Sequence, residues 1–452
     1  MIPEHIFHAY DIRGLVEGEL SEDLAYGLGQ ALVVFLQEKG EDLVNKKIVV
    51  GRDMRPTSLG FQKALIKGVC DSGVNAVDVG LVSTPLFNFA CVNYPEHAGG
   101  IMVTASHNPA EFNGFKITLG NGLPVGQVTG MDRIKELVLA NNFVKSEVTG
   151  NCESLDAYPD YQKKIFSLVD ISKIKPLKIV IDAGNGMADA TIPKTLAQLS
   201  ISVEYLYLEP DGTFPNHEAN PLKTETLGEL QKKVLAIGAD FGFALDGDAD
   251  RIGLVDETGA VVPASFVGGL IGLEVLKENP SSLMLYDLRV SRSVKDVWEK
   301  MGATTDITKV GHANIKKMMK DNGAIFASEL SLHLYFHDLT DLESADLALL
   351  YILQLLSVQD KKLSELWQSL NKYCQSEEIN FKVENKEEVL KKLQEKYFDA
   401  EINKLDGLLF TYPDYWFNVR ASNTEPVLRL NLEANSKELM EEKLAEIKKI
   451  II

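Results

Sequence analysis

Three carboxylates at alternate positions form the densest group of chemically active side chains in the sequence. The segment DGDADR places Asp246, Asp248 and Asp250 in one short loop, where their oxygens can converge on a hard divalent cation. An EF-hand is one alternative, because Glu257 falls at the twelfth position counted from Asp246. Arg251, however, takes the sixth position, where that loop requires glycine, and the flanking GFAL and IGLVD are typical of strands. Three carboxylates from one loop leave room on the cation for water and a substrate phosphate, and this favours Mg²⁺. A solvated acidic turn is the other alternative, but without a cation its carboxylates would repel one another.

A serine in the segment TASHNP is a second candidate for chemistry. Ser106 precedes His107 and Asn108, and Gly114 and Lys116 follow closely. As a nucleophile the serine needs an activator, and the adjacent histidine is poorly placed to remove its proton. If Ser106 instead carries phosphate, the metal gains an oxygen ligand and the lysine gains a charge to neutralise. A capped turn is the alternative, because Ser, Asn and Pro favour turns.

A third cluster, RASNTEP, lies near the C-terminus and combines a guanidinium with hydroxyl and amide donors. Such a set is typical of a phosphate clamp, although a hairpin turn with local hydrogen bonds is the alternative. Its members are Arg420, Ser422, Asn423 and Thr424. Other candidates are weak singly, because a lone His or Arg more often has a structural or surface role. These are Arg13, Arg289, His312, Glu329, Ser331 and His333.

A threefold repetition of strand patterns indicates how these loops are positioned. KIVVGRDMR (47–55), KIVIDAGNG (178–186) and SLMLYDLRVS (282–291) each run from a buried-strand pattern into a polar loop. Further on, a second strand, GGIMVT, FGFAL or AIFAS, leads into TASHNP, DGDADR or ELSLH. We interpret this as three related α/β domains that each present one chemical loop. Ligands of open α/β sheets bind at the carboxyl ends of strands, so the loops should share one cleft.

The last 80 or so residues differ from this pattern. Asn-x-x-Glu helix starts at Asn385 and Asn435 bracket predicted strands at 407–411, 416–420 and 427–432. The predicted fold class is therefore α/β: three related domains with mixed or parallel sheets, plus a smaller C-terminal α+β domain around a central cleft. The expected domains are 1–151 with the serine loop, 152–255 with the metal loop, 256–368 with ELSLH, and 369–452 with RASNTEP.

Composition excludes several classes of protein. The 452 residues are 45% hydrophobic and 25% charged, which is typical of a multidomain globular protein with a large core. A net charge of -19 disfavours binding to nucleic acid. No apolar stretch reaches the roughly 20 residues that span a bilayer, and the N-terminus lacks a signal-peptide pattern. The four cysteines are isolated, as expected of reduced thiols in the cytoplasm.

Taken in order, seven motifs resemble those of the α-D-phosphohexomutase family, most closely its phosphomannomutase/phosphoglucomutase branch. They are AYDIRG, GRDMR, TASHNP, DGDADR, GHANIK, ELSLH and RASNTEPVLRL, and they span Tyr10 to about Leu432. The resemblance implies reversible interconversion of hexose 6-phosphate and hexose 1-phosphate, with mannose as the first expected sugar and glucose as the second. It also implies Mg²⁺, a phosphoserine, a 1,6-bisphosphosugar intermediate, and glucose or mannose 1,6-bisphosphate as activator. A phosphosugar is thus the expected ligand, and the protein is expected to be a monomer or dimer.

The resemblance also implies roles for individual residues. Ser106 is the phosphorylated serine and coordinates Mg²⁺ with Asp246, Asp248 and Asp250. Lys116 and Arg251 stabilise charge on the transferring phosphate, and Lys116 and His333 are the candidates for proton transfer. Glu329 and Ser331 bind sugar hydroxyls. The clamp for the other phosphate comprises Arg420, Ser422, Asn423 and Thr424, and the cleft-lining positions are Tyr10, Arg13, Arg289, His312 and His333.

The sequence departs from the family pattern beside the sugar contacts. Where relatives usually have Gly-Glu-Met-Ser-Gly/Ala-His, this chain has the residues SELSLH, so Ser328 replaces glycine and Leu332 replaces a small residue. Hexose preference is therefore open, and a phosphoglucosamine mutase or a non-catalytic sugar-phosphate sensor is the alternative. A metal-dependent phosphatase is a further one. Ala249 replaces a frequent glycine in the metal loop, which leaves the ligands on either side unchanged.

Overall fold

Four β-sheets, arranged one after another along the chain, form the framework of the protein. The computed structural model describes residues 2–421 and 427–452. Three of the sheets are mixed and covered by helices, and the fourth is antiparallel with helices of its own. The predicted fold class is confirmed. Short 3₁₀ helices occur at Glu4–Ile6, Ile171–Lys173, Met187–Ala190, Thr224–Leu227 and His337–Leu339.

The first sheet has six strands in the order β1-β5-β4-β2-β3-β6. Its strands are β1 (Ile12–Leu15), β2 (Lys47–Arg52), β3 (Ala76–Leu81), β4 (His97–Val103), β5 (Phe112–Leu119) and β6 (Cys152–Ser154). Its helices are α1 (Glu22–Glu38), α2 (Ser58–Asp71), α3 (Thr84–Asn93) and α4 (Met131–Ala140). Strands β4, β2, β3 and β6 are parallel, whereas β5 returns antiparallel beside β4.

The second sheet has four strands in the order β10-β9-β7-β8. Its strands are β7 (Lys178–Asp182), β8 (Ser202–Leu206), β9 (Phe241–Leu245) and β10 (Ile252–Asp256). The helices of this segment are α5 (Tyr158–Phe166), α6 (Ile192–Leu196) and α7 (Gly228–Ile237). Strands β9 and β10 form an antiparallel hairpin, and the metal loop predicted from the sequence connects them.

The third sheet has five strands in the order β12-β11-β13-β14-β15. Its strands are β11 (Leu283–Asp287), β12 (Thr304–Thr308), β13 (Phe326–Ser328), β14 (Leu334–Phe336) and β15 (Leu342–Glu343). Its helices are α8 (Ala264–Glu278), α9 (Arg292–Lys300), α10 (His312–Asn322), α11 (Ala345–Val358) and α12 (Leu363–Leu370). The segment ELSLH connects β13 to β14.

The fourth sheet contains the C-terminal strands. They are β16 (Cys374–Gln375), β17 (Ile379–Lys382), β18 (Glu401–Asn403), β19 (Leu408–Thr411), β20 (Tyr415–Ala421) and β21 (Val427–Ala434). Helices α13 (Lys386–Lys396) and α14 (Lys437–Ile451) accompany them. Asn385 caps α13 as predicted, because its side chain accepts a hydrogen bond from the Glu388 N–H. For α14 the cap is Ser436 and not the predicted Asn435, since the Ser436 side chain accepts from the Leu439 N–H.

The buried apolar residues show which sheets share a core. One cluster runs continuously from Val49 to Leu370 and joins the first three sheets. The fourth sheet has a cluster of its own, from Phe381 to Ile451. The predicted boundaries after residues 151, 255 and 368 stay predictions; strand β6 pairs with the first sheet. None of the helices in the described ranges combines the length and apolarity that a bilayer crossing needs.

Candidate active site

The polar loops predicted from the sequence line one cleft, a cavity of about 1010 Å³ between the four sheets. Predicted site residues from every sheet-bearing segment contribute to its walls. They are Tyr10, Arg13, Ser106, Lys116, Asp250, Arg251, Arg289, His312, Glu329, Ser331, His333 and Arg420. Ser422, Asn423 and Thr424 lie outside the described residues.

A repeated strand arrangement brings these loops together. In each of the first three sheets the two strands of the repeated pattern are parallel neighbours: β2 with β4, β7 with β9, and β11 with β13. The carboxyl ends of parallel neighbours lie at the same sheet edge, so each domain presents two adjacent loops to the cleft. The second loop of each pair carries the predicted chemistry.

Ser106 lies in the loop after β4 and points at the metal loop of the second domain. Its backbone has a φ of 50°, in the left-handed region that non-glycine residues adopt at a cost, and its side chain is buried. The Ser106 hydroxyl donates a hydrogen bond to Asp246 Oδ2 over 2.8 Å and lies 3.2 Å from His107 Nδ1. A hydroxyl of the first domain thus directly contacts a carboxylate of the second.

Arg55, which sequence reasoning did not single out, supports the serine loop. This buried guanidinium donates to the backbone carbonyls of Ser106 (3.0 Å) and Asn108 (2.6 Å). It also donates to the carbonyls of Pro109 and Phe112, both over 2.8 Å. The signal was present in the sequence, because GRDMR is the first loop of the pair whose second loop is TASHNP. Its function as a support depends on contacts between segments more than 50 residues apart, which no local pattern displays.

The three aspartates of the metal loop form a buried anionic cluster. One oxygen from each of Asp246, Asp248 and Asp250 lies within 4.8 Å of the others. Burial, reinforced by the charges of Asp250 and Asp248, raises the pKa of Asp246 well above its usual value. Within the described part of the chain, the buried Oδ1 atom of Asp248 accepts no hydrogen bond. Three converging oxygens with spare acceptor capacity and excess negative charge fit a hard divalent cation.

Two cations flank this cluster. Lys116 on β5 donates to Asp248 and Asp250, each over 2.7 Å. Burial opposes a charged ammonium, but the two carboxylates outweigh burial and raise the pKa of Lys116 above its ordinary value. The Arg251 side chain reaches toward the same cluster, with its Nε 3.7 Å from Asp246 Oδ2. Positive charge is therefore concentrated on the cleft side of the aspartates, beside Ser106.

The third domain adds His333, which has four polar neighbours among the described residues; one is Arg251, whose Nε lies 3.4 Å from His333 Nε2. His333 Nε2 lies 3.3 Å from Asp250 Oδ1, and His333 Nδ1 lies 2.8 Å from Ser331 Oγ and 3.3 Å from Glu329 Oε2. Burial alone would lower the pKa of His333, but the carboxylate of Asp250 outweighs it and the pKa rises to about 9. The loop after β13 therefore places its three predicted residues in one hydrogen-bonded group next to the metal loop.

Leu332 does not line the cleft, although its bulk beside the predicted sugar contacts had left the hexose preference open. Its backbone has a φ of 70°, so its side chain turns away and joins the large apolar cluster. Leu330, two residues earlier, is the leucine of this loop that lines the cleft.

Arginines gather at the end of the cleft formed by the third and fourth sheets. Arg289 is paired with Asp287 over 2.8 Å and lies 3.5 Å from Glu378. Arg420 and Arg429 lie 3.5 and 3.4 Å from the same glutamate. Sequence reasoning missed Glu378, and it treated Arg429 only as part of the RASNTEPVLRL motif.

Of the remaining predicted residues, Tyr10 and His312 connect the first domain to the third, and Arg13 supports the serine loop within the first. Tyr10 donates to the Val310 carbonyl over 3.0 Å, and its ring lies 5.5 Å from that of His312. Burial, together with Lys316, lowers the pKa of His312 to about 4, so its imidazole is neutral at pH 7. Arg13 donates to Asn108 Oδ1 over 2.6 Å and thereby contacts the serine loop.

Comparison with known families agrees with this architecture. Four family models match consecutive parts of the chain. They describe phosphoglucomutase/phosphomannomutase alpha/beta/alpha domain I at residues 4–145, domain II at 156–259, domain III at 265–373, and the C-terminal domain at 378–450.

Individual relatives agree along almost the whole length. A phosphomannomutase of Methanocaldococcus jannaschii is 36% identical, with 99% of this chain and 97% of the relative covered. A phosphomannomutase/phosphoglucomutase of Pseudomonas aeruginosa is also 36% identical, over 97% and 94% of the two chains. The crystal structure of a phosphoglucomutase/phosphomannomutase family protein from Burkholderia thailandensis superposes with a TM-score of 0.91 at 30% identity, covering 100% and 97%. The chain therefore belongs to the phosphoglucomutase/phosphomannomutase family.

Proposed function

We propose that this protein is a phosphohexomutase that reversibly interconverts hexose 6-phosphate and hexose 1-phosphate through a phosphoserine and a 1,6-bisphosphosugar. The observation that carries the proposal is the 2.8 Å contact between Ser106 Oγ and Asp246 Oδ2. It places a candidate phosphoryl carrier of one domain against a candidate metal site of another, inside a cleft large enough for a phosphosugar. The names of the relatives support the same activity.

The residues around Ser106 fit a divalent cation, which we propose to be Mg²⁺. Asp246, Asp248 and Asp250 would hold it together with an oxygen of the phosphorylated Ser106. When bound, the ion would neutralise the carboxylates and help spread the negative charge of the phosphoryl group.

In the first transfer, the bond between phosphorus and Ser106 Oγ breaks and a bond forms from phosphorus to the free sugar hydroxyl. The hydroxyl proton ends on Ser106 Oγ, and Lys116 and His333 are the two groups proposed to carry it. Lys116 and Arg251 also stabilise charge on the phosphoryl oxygens, since both lie beside the aspartate cluster. Arg13 contributes through the serine loop, which it contacts at Asn108.

The second transfer reverses these steps with the other phosphate. The bisphosphosugar turns end over end, and the phosphate that was held at the far end of the cleft passes to Ser106. Arg420 and residues 422–424 are proposed to bind whichever phosphate is not reacting, with Arg289 nearby. Glu329 and Ser331 bind sugar hydroxyls, and Tyr10 and His312 complete the wall between the first and third domains. We propose that bound phosphosugar keeps water away from Ser106, because water in the cleft would hydrolyse the phosphoserine.

The proposed substrate is mannose phosphate, with glucose phosphate as the second candidate, and glucose 1,6-bisphosphate or mannose 1,6-bisphosphate primes the serine. A substrate panel that includes glucosamine 6-phosphate decides between the neutral hexoses and an amino sugar. Conversion of the amino sugar in preference to mannose 1-phosphate would overturn this specificity while leaving the mutase chemistry intact.

Replacement of Ser106 tests the mutase chemistry itself. We expect Ser106→Ala to lose isomerisation of mannose 1-phosphate, assayed with Mg²⁺ and a catalytic amount of glucose 1,6-bisphosphate, because no side-chain oxygen remains to carry the phosphoryl group. The wild-type protein should show a fraction heavier by one phosphate, localised to Ser106 by mass spectrometry. Ser167→Ala, at an exposed serine, is the matched control. Near-normal turnover of Ser106→Ala, or steady phosphate release in place of isomerisation by the wild type, would contradict the proposal.

A further inference from the structure

One carboxylate of the chain lies among the arginines at the far end of the cleft. Glu378 Oε2 is 3.5 Å from both Arg289 and Arg420, and its Oε1 is 3.4 Å from Arg429. Asn431 donates to Oε2 over 3.0 Å. The Glu378 carboxylate is therefore shared by three guanidinium groups, of which Arg289 is also paired with Asp287, and Glu378 itself is part of the cleft wall.

The two arginines of the fourth sheet require an anion between them. Arg420 on β20 and Arg429 on β21 are direct cross-strand partners. Like charges in directly opposite positions destabilise a sheet unless an opposite charge compensates them. Within residues 2–421 and 427–452, the buried Nε of Arg420 has no hydrogen-bond partner, so this guanidinium keeps capacity for a further acceptor.

The contacts between Glu378 and the three arginines are longer than those of a well-formed ion pair. Charge-assisted N–H···O bonds are typically about 2.7–2.9 Å long, and bidentate geometry is common for arginine with a carboxylate or phosphate. Each of the three arginine contacts, at 3.5, 3.5 and 3.4 Å, is longer than that range. The Glu378 carboxylate leaves the Arg420 Nε without an acceptor among the described residues, whereas a phosphate offers three oxygens and a larger charge.

Glu378 belongs to the fourth sheet region and contacts an arginine of the third domain, Arg289, as well as Arg420 of its own sheet. It lies between β16 and β17, and the nearby Gln375 donates to the Arg289 carbonyl over 2.6 Å. A displacement of the Glu378 carboxylate thus breaks its contact with Arg289 of the third domain.

We propose that Glu378 occupies the place of the substrate phosphate in the unliganded protein and is displaced when that phosphate binds. The inference rests on the proposed function and adds to it a positioning residue that tunes phosphate affinity. Glu378 compensates the arginines while the cleft is empty and competes with the incoming phosphate. The competition reduces the apparent affinity by the fraction of molecules in which the carboxylate already fills the site. Because Glu378 of the fourth domain contacts Arg289 of the third, its release also couples phosphate binding to the contact between these two domains.

The isosteric Glu378→Gln variant tests the proposal, because it removes the competing charge and keeps the shape. We expect it to bind inorganic phosphate and glucose 1-phosphate about fivefold more tightly than the wild type, measured by calorimetry at constant ionic strength. The KM for glucose 1-phosphate should fall in parallel. Glu377→Gln, at the exposed neighbouring glutamate, is the matched control and should leave both constants unchanged. Glu378→Asp, whose shorter side chain reaches the arginines less well, should lie between the wild type and Glu378→Gln.

The direction of the change separates this proposal from a merely structural role. If Glu378 only organised the arginines, Glu378→Gln would bind phosphate more weakly, and that result or unchanged binding would overturn the inference. In the double variant with Arg420→Lys the gain should disappear, whereas a persisting gain would place the tighter site elsewhere and also overturn it. Failure here would not affect the mutase assignment, which depends on the separate Ser106 experiment.

Discussion

A single side chain, Leu332, shows how one backbone angle decides whether a substitution concerns function or stability. The sequence places this leucine between two proposed sugar contacts, where relatives usually have glycine or alanine. A left-handed φ of 70° turns its side chain into the apolar core instead. The Leu332 side chain therefore packs in the apolar core and does not contact the sugar site, and its backbone is strained as a result.

Two substitutions at this position separate packing from strain. We expect Leu332→Ala to lower the free energy of unfolding by about 3 kcal/mol, because it leaves a cavity and keeps the strain. Leu332→Gly should cost about 1 kcal/mol less than Leu332→Ala, because glycine adopts positive φ freely. Chemical unfolding measures both changes.

The same variants should leave the ratio of kcat/KM for mannose 1-phosphate to that for glucose 1-phosphate unchanged. Leu330→Ala is the contrasting control, because Leu330 lines the cleft and its loss should shift the ratio. A change of preference in Leu332→Ala comparable to that in Leu330→Ala would refute this description of the loop.

At the scale of elements, each of the first three domains uses one loop to support its neighbour. In the first, Arg55 after β2 binds the carbonyls of the serine loop after β4. In the second, the loop after β7 contacts the metal loop after β9, where the Met187 N–H donates to the Gly247 carbonyl over 2.9 Å. In the third, Asp287 at the end of β11 accepts a hydrogen bond from the Leu330 N–H over 2.7 Å. The first loop of each pair is thus structural support for the second.

The second of these supports can be tested at a glycine. A Cβ atom added to Gly186 would lie 2.8 Å from the Gly247 carbonyl oxygen and 3.0 Å from that of Asp246, so the metal loop must shift. We expect Gly186→Ala to raise the Mg²⁺ concentration for half-maximal activity by about tenfold, since small displacements of ligands weaken metal sites strongly. Gly228→Ala is the control, because a Cβ there meets nothing within 4 Å. Equal metal dependence in the two variants would show that this loop does not support the metal site.

This pairing also explains what could be predicted from the sequence. The strand-to-loop pattern is local, so the sheets, the fold class and the chemical loops were recoverable from contiguous motifs. The cap of α14 was misplaced by one residue because Asn435 and Ser436 both suit an N-cap, and only the backbone decides between them. Arg55 and Glu378 escaped prediction because their partners are distant in sequence, and an isolated Arg or Glu carries no sign of such contacts.

At the scale of the whole molecule, the fourth domain is a separate body held by a few polar contacts. Its apolar core is distinct from the cluster that joins the first three sheets. One contact is the buried carboxylate of Glu433, which accepts hydrogen bonds from Trp416 Nε1 at 2.8 Å and from the backbone N–H of Arg292 at 3.1 Å. The Arg292 side chain lies 3.3 Å from the same oxygen. This attachment lies outside the Glu378 group, so it does not depend on the proposed displacement of Glu378.

Removal of Arg292 should loosen this attachment selectively. Arg292→Ala leaves the buried Glu433 carboxylate without its cationic partner, and because Arg292 is partly exposed we expect a loss of about 2 kcal/mol, not the larger cost of a fully buried pair. The loss should appear as faster amide hydrogen exchange in β20 and β21, with little change in β2 and β4, because the fourth domain opens on its own. The KM for phosphosugar should rise as well, since Arg420 of that domain helps to form the cleft wall.

Adding Glu433→Gln to Arg292→Ala should restore part of the protection against exchange, because the unpaired charge is then gone. Lys295→Ala removes an exposed lysine of the same helix, whose contact with Glu299 over 3.9 Å contributes little, and it should leave exchange unchanged. If Arg292→Ala exchanges like Lys295→Ala, or if all four sheets lose protection together, the fourth domain is not the separately held body described here.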